Sequence, residues 1–456
     1  MKKALILPPV FSFLTFLVSA NMGLSFEQSF TLSITLLCAI WWMLEPIPLA
    51  ITSLLPIALF PLVGILTKQE VAQSYGSPLI ILLLGGFILS TAMAKSGAHR
   101  RLAIHMVNAF GTQKGSHVVM GFMVAAATLS MWISNTATTL MLLPIAIAVL
   151  NSTEQRTLDK PLLLGIGYAA SVGGIGTPIG TPPNLIFQQA YADTTGTEVG
   201  FLTWMTWAVP IVIIFVPLMA FWLSRHCRHA VTIALPEIDA WTSVEKRVLT
   251  VFALTAMIWI TRQQPFGGWS GMLGLTGAND ASIALLAVVA MFLVPAGKPN
   301  GEALLDWDTA KNIPWHVLLL FAGGITIATA FQRSGLSVII GDNLSPLTQI
   351  PLLIAIFLIA LCVTFLTEVT SNTATTTLLM PILASAALSA NMDPALLMVP
   401  AAISASCAFM LPAATAPNAV IYSSNYLTVK DMVKQGFILN LLGTTVISLV
   451  LYWRLS

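Results

Sequence analysis

The tripeptide Ser-Asn-Thr occurs twice in this chain, and each copy lies in the middle of a long apolar segment. The copies are Ser134-Asn135-Thr136 and Ser371-Asn372-Thr373, and Ala-Thr-Thr follows both of them. Small hydroxyl and amide groups are costly in apolar surroundings unless they bind a partner. The duplication therefore predicts two polar turns that face each other across a substrate site.

The composition places these segments in a membrane. Of the 456 residues, 57% are hydrophobic and 8% are charged, whereas soluble proteins have roughly 25% charged residues. Long apolar runs can satisfy their backbone polar groups in a bilayer only as helices, so the sequence predicts an all-α polytopic membrane protein. No basic tract indicates nucleic-acid binding, and the four cysteines form no close pair that would indicate a disulfide or a metal site.

Two apolar segments, 116–150 and 350–389, are each long enough for two helices, and their centres are polar. A turn inside the bilayer must be buried in protein or line a cavity, because lipid offers its backbone no hydrogen bonds. We therefore interpret both segments as re-entrant helical hairpins whose tips carry the Ser-Asn-Thr copies. Eleven transmembrane helices account for the other apolar runs, at about 4–20, 29–44, 49–66, 78–94, 161–190, 203–224, 247–261, 281–295, 314–332, 394–422 and 435–453.

The basic residues orient these segments. When the N-terminus is cytoplasmic, only Lys68, Arg262, Arg333 and Arg454 of the 20 lysines and arginines fall outside the cytoplasmic side. This bias follows the positive-inside rule and predicts a cytoplasmic N-terminus. The start of the chain also resembles a signal peptide, with Lys2-Lys3 before an apolar run. Because further apolar segments follow at once, we favour an uncleaved first span over cleavage.

The duplication is wider than the tripeptide and relates two halves of opposite orientation. Leu84-Gly85-Gly86 matches Ala322-Gly323-Gly324, and Thr181-Pro182-Pro183-Asn184 matches Thr415-Ala416-Pro417-Asn418. The first Gly-Gly span ends in a basic cytoplasmic loop and the second ends in an outside loop, so the halves are inverted repeats. This architecture is typical of secondary transporters with a site near the midplane. The repeats are 78–224, with hairpin 116–150 and broken helix 161–190, and 314–456, with hairpin 350–389 and broken helix 394–422.

Each tip has the chemistry of an anion site. A helix that begins just after the tip presents free backbone N–H groups and the positive end of its dipole. Asparagine adds two donors and one acceptor, while serine and threonine add hydroxyls. Two facing tips could hold the two carboxylates of one small dianion. The alternative is a helix cap without a ligand, which two copies in inverted repeats disfavour.

Prolines and glycines interrupt one helix in each repeat. Segments 173–184 and 411–418 cannot form continuous helices, because proline removes a backbone donor and clashes with the preceding turn. Unwound backbone exposes carbonyl oxygens, which are the ligands that hard cations such as Na⁺ prefer. A packing kink without a ligand is the alternative, and the asparagine that follows proline in both breaks favours a functional site.

Glu368 is the only acidic residue predicted inside a membrane element, and its counterpart in the first hairpin is Met131. Such a carboxylate is by default a candidate ion ligand or proton carrier. Because the symmetric position lacks it, we favour a carboxylate that neighbouring donors satisfy and that holds the shape of its hairpin. Glu45, which follows the tryptophans at the end of the second span, is expected to be structural.

The chain resembles the divalent anion:sodium symporter family over nearly its whole length. The resemblance is carried by Trp-Trp-x-x-Glu-x-x-Pro at 41–48, both Ser-Asn-Thr-Ala-Thr motifs, Thr367-Glu368 and the two Pro-Asn breaks. The family implies a homodimer that carries dicarboxylates, citrate or sulfate, with an elevator-type transport domain moving against a scaffold. It also implies N-terminal scaffold helices over 1–77, a connecting loop and scaffold helices over 225–313, and a location in the bacterial inner membrane.

The resemblance further implies the residues of the site. One sodium site would use Ser130, Ser134, Asn135 and the backbone carbonyl of Gly180, and the other would use Thr367, Ser371, Asn372 and the carbonyl of Ala414. The substrate would contact Ser134, Asn135, Thr136 and Thr181 on one side and Ser371, Asn372, Thr373 and Thr415 on the other. Ala416 stands where some members have proline, which loosens one contact.

The charge of the substrate favours coupling to cations. A dianion loses much hydration energy in a low-dielectric site unless counter-charge accompanies it. Neither tip contains lysine or arginine, so co-transported cations would supply that charge. We therefore expect a secondary active transporter that imports C4-dicarboxylates, such as succinate, malate and fumarate, with two or more Na⁺ ions.

Several alternatives remain. Within the family they are a sodium-independent dicarboxylate antiporter and a citrate or sulfate transporter. An anion channel is disfavoured by two closed tips in inverted repeats. An intramembrane hydrolase would need a second acid or a nucleophile–base pair beside Glu368. His-Glu-x-x-His and P-loop motifs are absent, so the sequence indicates no metalloprotease or P-loop ATPase.

Overall fold

The computed structural model describes residues 2–153, 156–227, 240–263, 267–275, 277–297, 301–339 and 350–455. Arg228 and Lys298, which the sequence places on the cytoplasmic side, lie outside the described residues, and so do the side chains of Lys2 and Lys3. The regular structure of the described part is helical, apart from one isolated bridge between residues 295 and 303. The all-α prediction is confirmed.

The helices alternate between long segments and short connecting ones. They are α1 (Lys2–Asn21), α2 (Phe26–Leu44), α3 (Leu49–Thr52), α4 (Leu54–Leu62), α5 (Lys68–Tyr75), α6 (Pro78–Ser96), α7 (Ala98–Phe110), α8 (Gly115–Ser130), α9 (Asn135–Asn151), α10 (Asp159–Gly174), α11 (Pro182–Thr195), α12 (Phe201–Leu223), α13 (Ser243–Ile260), α14 (Gly268–Met272), α15 (Asp280–Leu293), α16 (Trp307–Ala310), α17 (Trp315–Arg333), α18 (Leu352–Thr367), α19 (Asn372–Ser389), α20 (Ala395–Ser404), α21 (Ala416–Tyr422) and α22 (Val429–Leu455).

Local sequence signals explain where several helices begin. Ser25 caps α2 by accepting the backbone N–H of Gln28, whose side chain accepts the N–H of Ser25 in return. The same reciprocal box starts α5 at Thr67 and α13 at Thr242. Helices α6 and α11 each begin with a proline, whose missing N–H is not needed in a first turn.

The predicted span 49–66 is two helices in the structure, α3 and α4, which meet at Ser53. The Ser53 hydroxyl donates to the carbonyl of Leu49 at 2.8 Å and accepts the indole N–H of Trp42 at 3.1 Å. Pro56 has no N–H to continue the helical ladder across the junction. The interruption therefore comes from proline, and Trp42 is hydrogen-bonded at the junction.

Each predicted hairpin contains two helices joined by a short turn. Helices α8 and α9 flank residues 131–134, and α18 and α19 flank residues 368–371. Each predicted broken helix is likewise two helices, with residues 175–181 between α10 and α11 and residues 405–415 between α20 and α21. The interruptions fall where proline and glycine predict them.

Helices of the two repeats interlock around these breaks. Helix α11 packs against α19, and in the other repeat α21 packs against α9. Helices α10 and α20 lie alongside the helix pair of their own repeat. Each broken helix therefore contacts both helix pairs, and this crossing brings the two tips and the two breaks together.

The first Gly-Gly pair lets two neighbouring segments approach the backbone of α6 closely. A Cβ on Gly85 would lie 2.6 Å from the Cβ of Ala284 in α15, closer than real Cβ atoms approach. A Cβ on Gly86 would lie 3.5 Å from Ile179 in the first break, which is ordinary contact. Helix α6 thus meets a predicted scaffold helix with one glycine and the broken helix with the other.

The second Gly-Gly pair does the same in α17. A Cβ on Gly323 would lie 2.6 Å from the carbonyl oxygen of Ser53, at the junction of α3 and α4. A Cβ on Gly324 would lie 2.4 Å from Cγ2 of Thr377 in α19. In both helices, therefore, the first glycine contacts a predicted scaffold segment and the second contacts a hairpin or a break.

Several helices have the length and apolarity of membrane spans. Within the described ranges, five stretches qualify by length and composition: Ala4–Asn21, Lys68–Ser96, Phe201–His226, Trp315–Arg333 and Val429–Leu455. Large apolar side chains are exposed along α1 and α12, as expected for surfaces that face lipid. The count of eleven transmembrane helices stays a prediction.

Candidate functional site

Both Ser-Asn-Thr turns open into one cavity of about 1270 Å³. The structure brings these turns and the two breaks to one space, although they are far apart along the chain. The cavity is lined by all the predicted substrate residues, Ser134, Asn135, Thr136, Thr181, Ser371, Asn372, Thr373 and Thr415, and by the predicted cation-binding backbone positions Gly180 and Ala414.

The tips present backbone donors to this cavity. Helix α9 begins at Asn135 and α19 begins at Asn372, directly after Ser134 and Ser371. Neither serine uses its side chain to cap its helix. The first N–H groups of both helices and the two serine hydroxyls are therefore available to a carboxylate.

Oxygen atoms cluster behind the first tip. The fully buried Ser130 donates its hydroxyl proton to Oδ1 of Asn135 at 2.6 Å. A Cβ on Gly174 would lie 2.4 Å from the same oxygen, and a Cβ on Gly180 would lie 2.3 Å from the carbonyl oxygen of Gly174. Glycine at both positions lets the tip and the break approach this closely, because any larger residue would separate them.

The second tip has the same arrangement with threonine in place of serine. The buried Thr367 hydroxyl lies 2.7 Å from Oδ1 of Asn372 and 3.0 Å from the carbonyl oxygen of Ala405. Hydroxyl, amide and carbonyl oxygens are the ligands that a hard monovalent cation takes. Each tip therefore carries, on its buried side, a group of oxygen atoms of the kind expected for a cation site.

A side chain outside the predicted site holds the first break in shape. Nδ2 of Asn184 donates to the carbonyl of Gly174 at 3.0 Å and to that of Thr177 at 2.7 Å. The interruption of the helix leaves these carbonyls without backbone N–H donors, and the asparagine amide takes the place of those donors.

Asn418 performs the same task in the second break. Its Nδ2 donates to the carbonyl of Ala408 at 3.1 Å and to that of Leu411 at 3.0 Å. In both repeats the bonds reach back ten and seven residues. The duplicated Pro-Asn pair was the sequence signal that could have identified these two residues.

Glu368 is satisfied by neutral donors. Its carboxylate accepts the backbone N–H groups of Phe409, Met410 and Leu411 at 2.7, 2.9 and 3.0 Å, and Nδ2 of Asn440 at 2.7 Å. The residue is 4% exposed. These contacts agree with the favoured interpretation, because the carboxylate joins the second tip to its own break and to α22.

The first tip is docked without a charge. At the position that matches Glu368, the carbonyl of Met131 accepts the hydroxyl of Thr177 from the first break. The Met131 side chain packs over Gly176, where a Cβ would lie 2.8 Å from its terminal methyl carbon. The two repeats therefore share their tips and breaks but differ in how tip and break are joined.

The described lining of the cavity contains no lysine or arginine. Its titratable residues are Glu45, His316 and Glu368. Glu45 ends α2 in a left-handed conformation with φ of 44°, and its side chain is exposed. Its expected structural role stays a prediction. Within the described ranges no group of three or more His, Cys, Asp or Glu side chains could hold a metal ion.

Known transporters resemble this chain over nearly its whole length. Residues 2–455 match the family model described as the sodium:sulfate symporter transmembrane region. The chain is 39% identical to the sodium-dependent dicarboxylate transporter SdcS of Staphylococcus saprophyticus over 98% of its own length and 90% of that protein. It is equally similar, with the same coverage, to SdcS of Staphylococcus aureus strain RF122.

A solved structure also resembles the fold. The YdaH transporter of Alcanivorax borkumensis superposes with a TM-score of 0.60 and 12% sequence identity, covering 87% of this chain and 89% of that one. At this identity the likeness concerns the fold alone.

Proposed function

The chain belongs to the divalent anion:sodium symporter family, and from this membership we propose that it imports C4-dicarboxylates such as succinate, malate and fumarate together with Na⁺. Its relatives in the family are transporters, not enzymes. The observation that carries the proposal is the pair of Ser-Asn-Thr tips, one from each repeat, that line a single cavity whose described residues include no lysine or arginine.

A dicarboxylate fits the donors that the two tips offer. In the proposed complex one carboxylate meets Ser134 and the N–H groups at the start of α9, and the other meets Ser371 and the start of α19. Thr136, Thr373, Thr181 and Thr415 supply hydroxyls around the substrate. A monocarboxylate would leave one helix start without a partner, so the site selects a dianion.

Two or more sodium ions would neutralise the substrate from the buried side of the tips. We assign one ion to Ser130, Ser134, Asn135 and the carbonyl of Gly180, and another to Thr367, Ser371, Asn372 and the carbonyl of Ala414. Each asparagine belongs to both a cation site and the substrate site, so the ions and the anion stabilise one another. This shared position is the physical basis of coupling, because binding of either ligand raises the affinity for the other.

The remaining proposals concern the whole carrier. We propose that residues 78–224 and 314–456 supply a transport domain that moves as an elevator, and that 1–77 and 225–313 supply a scaffold. The first glycine of each Gly-Gly pair supports this division, because Gly85 lies against Ala284 and Gly323 lies against Ser53, both in the proposed scaffold. A homodimer in a bacterial inner membrane with a cytoplasmic N-terminus follows from the family and the charge pattern.

Succinate uptake into proteoliposomes under imposed Na⁺ and voltage gradients tests the function. We expect uptake that requires an inward Na⁺ gradient and that malate and fumarate inhibit. Full succinate counterflow in the absence of Na⁺ would instead identify a sodium-independent exchanger. Stronger competition by citrate or sulfate than by malate would identify another substrate of the same family.

The shared asparagines give a second test. Asn135→Ala and Asn372→Ala should each abolish uptake while leaving the amount of folded protein near normal, because each removes a contact to both ligands. Elution on size exclusion and succinate uptake would be measured on the same preparations. Unchanged uptake in either variant contradicts the shared site.

A further inference from the structure

We propose that Asn184 and Asn418 are positioning residues, each of which sets the cation affinity of the site in its own repeat. The inference rests on the proposed function and extends it to two residues that do not face the substrate. Both asparagines are fully buried, and each lies in the third helical position after a break.

The contacts connect Asn184 to the first cation site through one peptide group. Its Nδ2 holds the carbonyl of Gly174 at 3.0 Å. The Cα of that same glycine lies against the amide of Asn135, where a Cβ would come within 2.4 Å of Oδ1. A shift of the Gly174 peptide therefore moves the surface on which the proposed ligand Asn135 rests.

A similar connection exists in the second repeat. Asn418 holds the carbonyls of Ala408 and Leu411. The N–H of Leu411 is held by Glu368, the residue next to the proposed ligand Thr367. The unwound segment is thus fixed from both sides, and Thr367 also bonds to the carbonyl of Ala405 at the start of that segment.

The chemistry requires an amide at both positions. Nδ2 of Asn184 donates to the carbonyls of Gly174 and Thr177, with that of Ile175 a third contact at 3.5 Å, and Nδ2 of Asn418 donates to two carbonyls. Neither Oδ1 has a partner among the described residues. Aspartate has the same shape but would place an oxygen against two carbonyl oxygens, which repel it. Serine is small and can donate only one hydrogen bond, so it leaves the break partly held.

The test measures affinity for Na⁺ separately from affinity for succinate. In Asn184→Ser and Asn418→Ser we expect the Na⁺ concentration for half-maximal uptake to rise by about fivefold or more, because each loses roughly one hydrogen bond that orders a ligand. The KM for succinate at saturating Na⁺ should change by less than about twofold, since the groups that touch the substrate remain. Asn184→Asp and Asn418→Asp should show larger shifts in Na⁺ dependence.

Gln188→Ser is the matched control. Gln188 is another buried amide on α11, and the structure gives it no hydrogen bond to the break. This variant should keep the Na⁺ dependence of the unaltered protein. A purely structural role for Asn184 would lower the yield or the maximal rate of Asn184→Ser without moving its Na⁺ curve, and that result would overturn the proposal.

A cation-binding measurement without transport covers variants that lose activity. Na⁺ should raise the thermal melting midpoint of the purified protein, and this rise should require higher Na⁺ in the serine variants. Double variants locate the effect: Asn184→Ser should be non-additive with Ser130→Ala and additive with Thr367→Ala, because only the first pair shares a site. The reverse pattern refutes the assignment to separate repeats.

The outcomes separate this inference from the proposed function. An unaltered protein whose uptake and melting midpoint ignore Na⁺ contradicts the sodium-coupled function itself. An unaltered protein that responds to Na⁺, beside serine variants that respond at the same concentrations, contradicts only the positioning role of the asparagines.

Discussion

Glu368 lies where three consecutive backbone N–H groups converge, and a carboxylate is the side chain that can accept them together with the amide of Asn440. Hydrogen bonds to a charged acceptor are roughly twice as strong as neutral ones. A charge buried in this way is balanced by dipoles rather than by a cation. The residue therefore contributes to the rigidity of the second tip, and its charge is no measure of the number of bound ions.

Replacement of this carboxylate should damage the fold before it changes ion coupling. Glu368→Gln should lower the melting midpoint by several degrees, because its NH₂ group would face the N–H of Leu411 when its oxygen takes the place of Oε1, and an unpaired buried donor costs about 1–3 kcal/mol. The measurement is thermal unfolding in detergent. Asp308→Asn is the control, since Asp308 is an exposed carboxylate with a side chain 89% accessible, and it should melt normally. A Glu368→Gln protein of normal stability but altered ion stoichiometry would show that the carboxylate is an ion ligand.

At this scale the sequence indicated the residues that face the cavity better than those that support them. Repetition and polarity were sufficient to select Ser134 and Ser371, because isolated hydroxyls stand out in apolar segments. The partners of Asn184 are backbone carbonyls seven and ten residues away. Which carbonyls an interrupted helix leaves free depends on the path of the break, and that path is a tertiary property.

Helices α6 and α17 each pack between two kinds of segment. One glycine of the pair contacts a predicted scaffold segment, and the next glycine contacts a hairpin or a break. Glycine has no side chain, so it leaves a smooth helix surface without projecting groups that would obstruct a neighbouring segment. Close backbone approach also allows dense packing without large side chains, as at small-residue interfaces in membrane helices. The Gly-Gly pairs therefore allow close contacts on two sides of each helix.

A methyl group on the second glycine of α17 should overpack its contact with α19, which lies within the proposed transport domain. Gly324→Ala should reduce uptake by about tenfold or more and lower the melting midpoint, because the new Cβ would lie 2.4 Å from Cγ2 of Thr377 and overpacking of this kind typically costs about 1–3 kcal/mol. Thr377→Ser removes that methyl group, so adding it to Gly324→Ala should restore part of the uptake. Gly271→Ala serves as the control, because a Cβ there meets nothing within 4 Å. Failure of Thr377→Ser to restore any uptake would contradict the steric account.

Element boundaries were predicted where proline and glycine dictate them and missed where packing decides. The breaks in α10–α11 and α20–α21 followed from local sequence, since neither can continue as a helix. The junction at Ser53 was not predicted, although Pro56 was visible, because proline is common within membrane helices and only the bond from Trp42 makes the junction specific. The short helix α7 was also missed, since its charged residues read as a loop.

On the scale of the whole molecule, several of the residues that line the cavity belong to one predicted side of the membrane. Its lining includes Glu45, Asn312 and His316, and the charge pattern assigns the ends of those segments to the cytoplasmic side. The predicted outside loop, Tyr191 to Gly200, contributes none of its residues to the described lining of this cavity. With the predicted orientation of the chain, we expect this cavity to open to the cytoplasm.

Chemical labelling checks this direction. In a Cys362→Ser background, where the three remaining cysteines are buried, His316→Cys should react with a membrane-impermeant maleimide in inside-out vesicles and stay unreactive in intact cells. Thr197→Cys, in the predicted outside loop, should show the opposite pattern. Reaction of both from the same side would contradict the inverted arrangement of the repeats.

The two hydroxyl-to-amide bonds, Ser130 to Asn135 at 2.6 Å and Thr367 to Asn372 at 2.7 Å, have a consequence for the working cycle. A symporter that accumulates its substrate must return to its starting conformation without bound substrate or ions. Unpaired polar groups in the binding sites would oppose this return step, because hydroxyls and amides without a hydrogen-bond partner are costly away from water. In both tips the hydroxyl donates to the amide oxygen of the same tip, so these groups are paired within the protein itself. In the proposed cycle, we expect this pairing to lower the cost of the step in which the protein returns without substrate.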